Sequence, residues 1–265
     1  MATEQRIQSD LLVHPGVELA EVLELAGMSQ KALEIRSGVS RKHINRIIRG
    51  KEIISSDVAL KLETVLGTPS SFWINLSRNY ELDRAKKAAE LTLEADAIKL
   101  KRYPVAEMKH FGWLPKDVSG VELVHAFLAF FGVASFKILE DSWDLRFNAA
   151  YRKSAKKKSS KEALAVWIRA GQIQAQQIDL PEYNENSLRD AVDTIRQFTA
   201  DPNIFGDRTK KLLKEMGVAL VFVPHLQHTY ANGATYWLKK KSRPVVQLSI
   251  YHKWCDVFFF TLLHE

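Results

Sequence analysis

Ser29–Gly50, SQKALEIRSGVSRKHINRIIRG, constrains this chain more than any other stretch. Ser29 is a good N-cap, and the eight residues that run on to Ser37 hold apolar Ala32 and Leu33. Gly38 then breaks the pattern, Val39 fills the corner and Ser40 offers a second N-cap. From there Ile44, Ile47 and Ile48 recur at helical spacing and should face inward. The other face carries Arg41, Lys42, His43, Asn45, Arg46 and Arg49. Two short helices joined through a glycine-containing turn, the second basic on its outside, form a helix-turn-helix pattern. Arg and Asn pair bidentately with guanine and adenine edges, while Ser and Lys hold phosphates. The expected base contacts are therefore Arg41, Lys42, Asn45 and Arg46, with His43 and Arg49 on the same face and Ser29, Gln30 and Ser40 at phosphates.

An amphipathic basic helix in any bundle reads the same way on this stretch alone, so the flanks matter. His14–Gly27 reads as a helix opened by Pro15, Ser55–Gly67 as one opened by serine and closed by glycine, and Ser70–Tyr80 as a fifth. On the motifs HPG, SQ, GVSRKHINRIIRGK, DVALKLETVLGTPSSFWINL and YELDRA, residues 14–84 resemble the HigA branch of the XRE family of antitoxins and repressors. The resemblance implies a lambda-repressor-like five-helix domain over 1–84, double-stranded operator DNA as partner, a homodimer, and a RelE/HigB-like toxin as a further partner. Glu34 stands where that family usually has alanine. Its carboxylate has to reach the rim, which loosens the expected packing of the two short helices.

At 265 residues the chain is long enough for two domains. Its 38 basic and 31 acidic residues give a net charge of +7, which favours polyanionic partners. Cys255 is the single cysteine, so no intramolecular disulfide forms and the cytoplasm is the expected compartment. No signal segment opens the chain, and no uncharged apolar run reaches the roughly 18 residues of a membrane span.

Beyond the first domain, Glu81–Tyr103 has no breaker and predicts one long helix ended by Pro104. Residues 85–144 read as a helical connector. Ser119–Phe131 belongs in a core, and Val133–Phe147 stays open between strand, helix and loop. Lys161–Gln177, Asn186–Phe198 and Arg208–Met216 read as helices. Val218–Val223, Gly233–Leu238 and Pro244–Ile250 read as strands, the last two as a hairpin around the basic Lys239–Arg243. The fold class is mostly α with a small β-sheet. The basic run Tyr151–Lys161 reads as a solvated loop, Trp113, Trp143 and Trp167 as core residues, and His225 and His228 as loop histidines without a third metal ligand.

The chain ends in WCDVFFFTLLHE. His-Glu on an apolar helix is the first half of H-E-x-x-H, in which two histidines bind zinc and the glutamate polarises water. Together with AAYRKS, ALAVWIRAG, GVALVFVP, GATYWL and RPVVQLSI, it makes residues 145–265 resemble the ImmA/IrrE metallopeptidase family, an α+β zincin-like fold. The resemblance implies His264 as the first zinc ligand and Glu265 as the general base. The sequence stops at Glu265, before the second histidine, so no cofactor and no peptidase activity are expected of this form, with zinc expected in a longer one. Phe258–Leu263, left bare by that ending, is expected to be covered by self-association or by the N-terminal half. The functional expectation is an antitoxin-type or phage-type transcriptional repressor. A zinc endopeptidase that cleaves helix-turn-helix repressors, or a toxin-binding antitoxin, are the alternatives.

Overall fold

The computed structural model describes residues 13–142, 160–198, 202–239, 242–249 and 261–264. The chain divides into two compact units, one ending at Thr92 and the other beginning at Leu93.

In the first unit α1 (Pro15–Leu25), α2 (Gln30–Ser37), α3 (Arg41–Ile48), α4 (Ser56–Leu66) and the start of α5 (Ser70–Asp96) surround one core. Leu19, Leu23, Leu33, Ile44, Ile47, Leu62 and Trp73 are its buried centre. The first four helices each start at a side-chain cap. Pro15 supplies the first helical residue of α1, and the Nδ1 of His14 accepts from the Gly16 N–H at 2.9 Å. Ser55 caps α4 through Val58, and Gly67 ends it in the left-handed region at φ 76°.

His14 works as a cap only while its Nδ1 is neutral. Burial, and then the charge of Arg84, lower its pKa from 6.5. A depressed folded-state pKa means that the unfolded chain binds the proton more readily. The stabilisation is therefore complete above about pH 6.5 and is lost as the pH falls below it. Thermal melts between about pH 7.5 and pH 5 should show the unfolding midpoint of the first unit dropping with acid. His14→Asn, which keeps an acceptor without titrating, should flatten that slope; an unchanged slope would remove His14 from this role.

The sequence pattern placed a helix over Ser70–Tyr80 and a second over Glu81–Tyr103. The structure joins them in α5, because nothing between Tyr80 and Glu81 breaks the backbone ladder. It also ends α5 earlier, at Asp96, and continues as a 3₁₀ segment, Ala97–Arg102. Pro104 has no N–H to give the Leu100 carbonyl, which accepts from Tyr103 instead at 3.0 Å. Tyr103 itself is extended at φ −109°, ψ 153°, as a residue before proline should be.

The second unit continues with α6 (Val105–His110), α7 (Gly120–Phe131), α8 (Phe136–Asp141), α9 (Lys161–Gln176), α10 (Glu185–Phe198) and α11 (Pro202–Glu215). Three strands follow: β1 (Ala219–Val223), β2 (Gly233–Lys239) and β3 (Arg243–Ser249). The open stretch after Val133 is thus helical over α8, and α11 starts six residues before the expected Arg208, opened by Pro202. Gly120–Asp141 is apolar enough to cross a membrane by length and composition, with a mean hydropathy of 1.6. Gly132, at φ 65°, nevertheless breaks it into α7 and α8, and Phe127, Phe131 and Phe136 are wholly buried. Those three side chains belong to the main core of the second unit.

The sheet has the order β1-β3-β2, with β1 parallel and β2 antiparallel to β3. The expected hairpin is present, with Gly233 opposite Leu248 and a bulge at Trp237–Lys239. Against it packs α9, whose Leu164, Val166, Trp167 and Ile168 are all buried. The bulk of Trp167 is buried, and its Nε1 donates to the Val223 carbonyl at 3.3 Å. Gln247 of β3 donates to the Trp167 carbonyl at 2.7 Å and accepts from the Tyr236 hydroxyl at 2.8 Å, so its buried amide is paired at both ends. Burial raises the pKa of Tyr236, which keeps that hydroxyl a donor. Trp113 lies parallel to Phe130 at 6.2 Å, a packing role; Trp143 lies outside the described residues, as do Cys255 and most of the basic run Tyr151–Lys161.

A second apolar cluster in this unit gathers Ile195, Phe205, Leu213, Val218, Leu220, Leu248 and Leu262. The expected cover for Phe258–Leu263 is thereby corrected for Leu262. It is buried within its own unit, in the cluster formed by the sheet and its helices. Leu263 is 42% exposed.

Candidate nucleic-acid interface

The helix pair forms as its caps dictate. The Ser29 hydroxyl accepts from the Ala32 N–H at 3.2 Å, and Ser40 from His43 at 3.3 Å. Gly38, at φ 69°, makes the left-handed step between the helices, which a side chain would strain. Leu33, Val39, Ile44 and Ile47 close the angle between α2 and α3 from inside. The loosening expected from Glu34 does not occur. Its carboxylate lies at the rim and accepts from the Arg41 N–H at 2.8 Å, adding an anion at the N-terminal end of α3.

On the outer face Arg41, Lys42, Arg46 and Arg49 are exposed, and His43 and Asn45 are half-buried. Asn45 and Gln30, expected at a base and a phosphate respectively, are joined directly: the Asn45 amide donates to Gln30 Oε1 at 3.4 Å. The bond links the first turn of α2 to the middle of α3. Ser29 and Ser40 are exposed at the starts of the two helices, where a hydroxyl that caps the helix still has its own proton to give a phosphate. The nine side chains expected from the sequence thus fall on the two short helices and their caps, four of them the cations Arg41, Lys42, Arg46 and Arg49.

One acidic residue escaped that reading: Glu52, in the turn after α3. Arg46 donates its Nε–H to Glu52 Oε1, and His43 Nε2 lies 3.5 Å from Glu52 Oε2. Gly50 at φ 70° sends the chain back along the last turn of α3, with Gly50 N–H bonded to the Ile47 carbonyl and Lys51 N–H to that of Arg46. The sequence signal for Glu52 was this glycine stop, which returns the next residues to the helix they have just left.

The residues singled out by the metallopeptidase resemblance lie in the second unit. His264 is exposed on the helical turn at 261–264, and Glu265 and His252 lie outside the described residues. His225 Nδ1 is 3.1 Å from the Thr229 hydroxyl, a bond inside its own loop. Among the described residues no three His, Cys, Asp or Glu side chains converge on a point that could hold a metal ion.

Comparison with known proteins concentrates on the first unit. A family model described as helix-turn-helix matches residues 19–73. Virulence-associated protein I of Dichelobacter nodosus is 36% identical over 76 residues, which is 28% of this chain and 70% of that protein. Antitoxin HigA-1 of Vibrio cholerae is 36% identical over 62 residues, 23% of this chain and 58% of that protein. A solved structure of Pseudomonas aeruginosa antitoxin HigA with higBA promoter is 33% identical, covering 32% of this chain and 95% of that one at a TM-score of 0.31. With the helix-turn-helix model matched over 19–73 and 36% identity across 70% of virulence-associated protein I, the chain belongs to the XRE-type helix-turn-helix family of DNA-binding regulators.

Proposed function

We propose that this protein is a sequence-specific transcriptional repressor of antitoxin type that binds an operator through α3. The observation that carries the reading is the outer face of α3, where Arg41, Lys42 and Arg46 stand exposed beside the hydrogen-bonded Asn45–Gln30 pair. Cations alone attract any DNA, whereas guanidinium and amide groups held in fixed positions can discriminate base edges. In this reading Arg41, Lys42, Asn45 and Arg46 contact bases, His43 and Arg49 flank them, and Ser29, Gln30 and Ser40 hold the backbone. The name of HigA-1 supports the antitoxin assignment, with a cytoplasmic location, a homodimer on an inverted repeat and a RelE/HigB-like toxin as further parts of the proposal.

For the second unit the ImmA/IrrE-like, zincin-like assignment stays a proposal, supported by the mixed three-stranded sheet and by the helical turn that bears His264. Zinc belongs to that proposal, with His264 as one of its ligands.

The test is a titration of the full chain against the DNA upstream of its own reading frame and against a scrambled duplex of equal length. The upstream fragment should bind at least about 10³-fold tighter at physiological salt. Affinity for both should fall as salt rises, through counterion release. Equal affinity for the two duplexes would overturn the repressor reading.

A further inference from the structure

Glu52 is an acidic group set against a surface that is otherwise built to attract an anion. Arg46 and His43 of α3 lie against it, and Lys51 of the turn and Glu81 and Arg84 of α5 line the same cleft. A carboxylate there weakens the attraction for phosphate, so its placement needs another account. That account lies in the geometry of Arg46. The Glu52 carboxylate takes the Nε–H of Arg46, while its other oxygen faces His43 Nε2 at 3.5 Å. The guanidinium is planar and has five N–H donors. With Nε–H engaged, the two terminal amino groups stay free and the bond biases their plane. That end of the guanidinium is the fork that reaches both acceptors of a guanine, O6 and N7.

The position of Glu52 is itself determined. The two backbone bonds through Gly50 and Lys51 tie the turn to α3, so the carboxylate is anchored to the helix whose side chain it holds. The Arg46 and Glu52 side chains are 47% and 35% exposed. A pair this open adds little to stability. Its consequence is orientation: an arginine free to rotate reaches phosphates and bases alike, whereas one held through Nε offers a single direction.

We propose that Glu52 is a positioning residue for sequence recognition. By holding Arg46, and His43 beside it, Glu52 aims the Arg46 guanidinium at one base pair and lowers the affinity for DNA of other sequence. The proposal rests on the repressor reading and adds to it a specificity determinant that does not itself touch the base.

The test compares the unaltered full chain with Glu52→Ala, Glu52→Gln and Arg46→Ala, using the upstream fragment, its single-base-pair variants and a scrambled duplex. Glu52→Ala should lower the preference for the upstream fragment over the scrambled duplex by about tenfold or more, partly through tighter binding to the scrambled one. The lost preference should fall at the same base pair that Arg46→Ala loses. Adding Glu52→Ala to Arg46→Ala should change the base preference no further. Glu52→Gln keeps a neutral acceptor and should retain part of the preference; it also carries the test if the alanine variant does not fold. In the free protein, the NMR signal of the Arg46 Nε–H should move in Glu52→Ala and stay closer to its place in Glu52→Gln. A folded Glu52→Ala with unchanged preference at every base pair would overturn the proposal while leaving the repressor reading intact. An unaltered chain without preference between the duplexes would overturn both.

Discussion

Gly16→Ala is expected to break the first unit. Gly16 lies where α1 crosses α3, and a Cβ there would sit 1.9 Å from the Ile47 carbonyl oxygen, 2.7 Å from its carbon and 2.9 Å from Ile48 Cα. All three neighbours are backbone, so no rotamer change relieves the clash. Either α1 must lift or α3 must slide. Overpacking costs typically about 1–3 kcal/mol and occasionally more, and a collision of backbone with backbone belongs at or above the upper end. For a domain of this size about 3 kcal/mol lowers the melting midpoint by roughly 12–24 °C. The same shift moves the outer face of α3, so DNA affinity should fall even at temperatures where the variant stays folded. Val17→Ala, at a position 44% exposed, is the neighbouring control and should stay within about 0.5 kcal/mol of the unaltered protein. A melt of Gly16→Ala that overlays the control would show that α1 and α3 do not cross at this closeness.

The sequence showed the helix pair because its signals are local. Ser29 and Ser40 cap within three residues, Gly38 turns in place, and the isoleucines of α3 repeat at one period. The strands were equally plain, since VALVFV has no polar position and the hairpin brackets its own turn. What escaped depended on partners distant in sequence or on the absence of a local stop. The junction at Tyr80–Glu81 looked like a boundary only because two motifs meet there. Pro104 stops the 3₁₀ segment through the missing donor for Leu100, but no local signal marks the change from α5 at Asp96. Gly16 gave no sign of its role, because the Ile47 backbone that requires it lies 31 residues away. Glu34 looked like a misfit and is a partner of the Arg41 backbone. Glu52 was passed over because charge patterning along a helix stops at its last residue, whereas the Gly50 turn carries the chain back beside it. In the second unit, His-Glu at the end of an apolar stretch named a chemistry, but a metal centre needs several ligands in space, and the described residues do not supply them.

The double substitution Arg41→Ala and Arg46→Ala tests the central claim, that the outer face of α3 reads DNA. Both side chains are exposed, and the buried contacts of α3 run through Ile44 and Ile47, so the fold should survive their removal. Arg41 keeps its backbone bond to Glu34 whatever its side chain. Each side chain that reads a base is worth about 1–3 kcal/mol, so losing both should cost roughly 2–6 kcal/mol on the upstream fragment if their effects add. The loss on a scrambled duplex should be smaller, because there the two arginines meet only phosphate. The deciding measurement is fluorescence anisotropy of labelled upstream DNA titrated with the unaltered and doubly substituted full chains at one fixed salt concentration. The account predicts an affinity for the upstream fragment reduced by at least about 30-fold, with a circular dichroism melt like that of the unaltered protein. Unchanged affinity for the upstream fragment, with the fold intact, would contradict it.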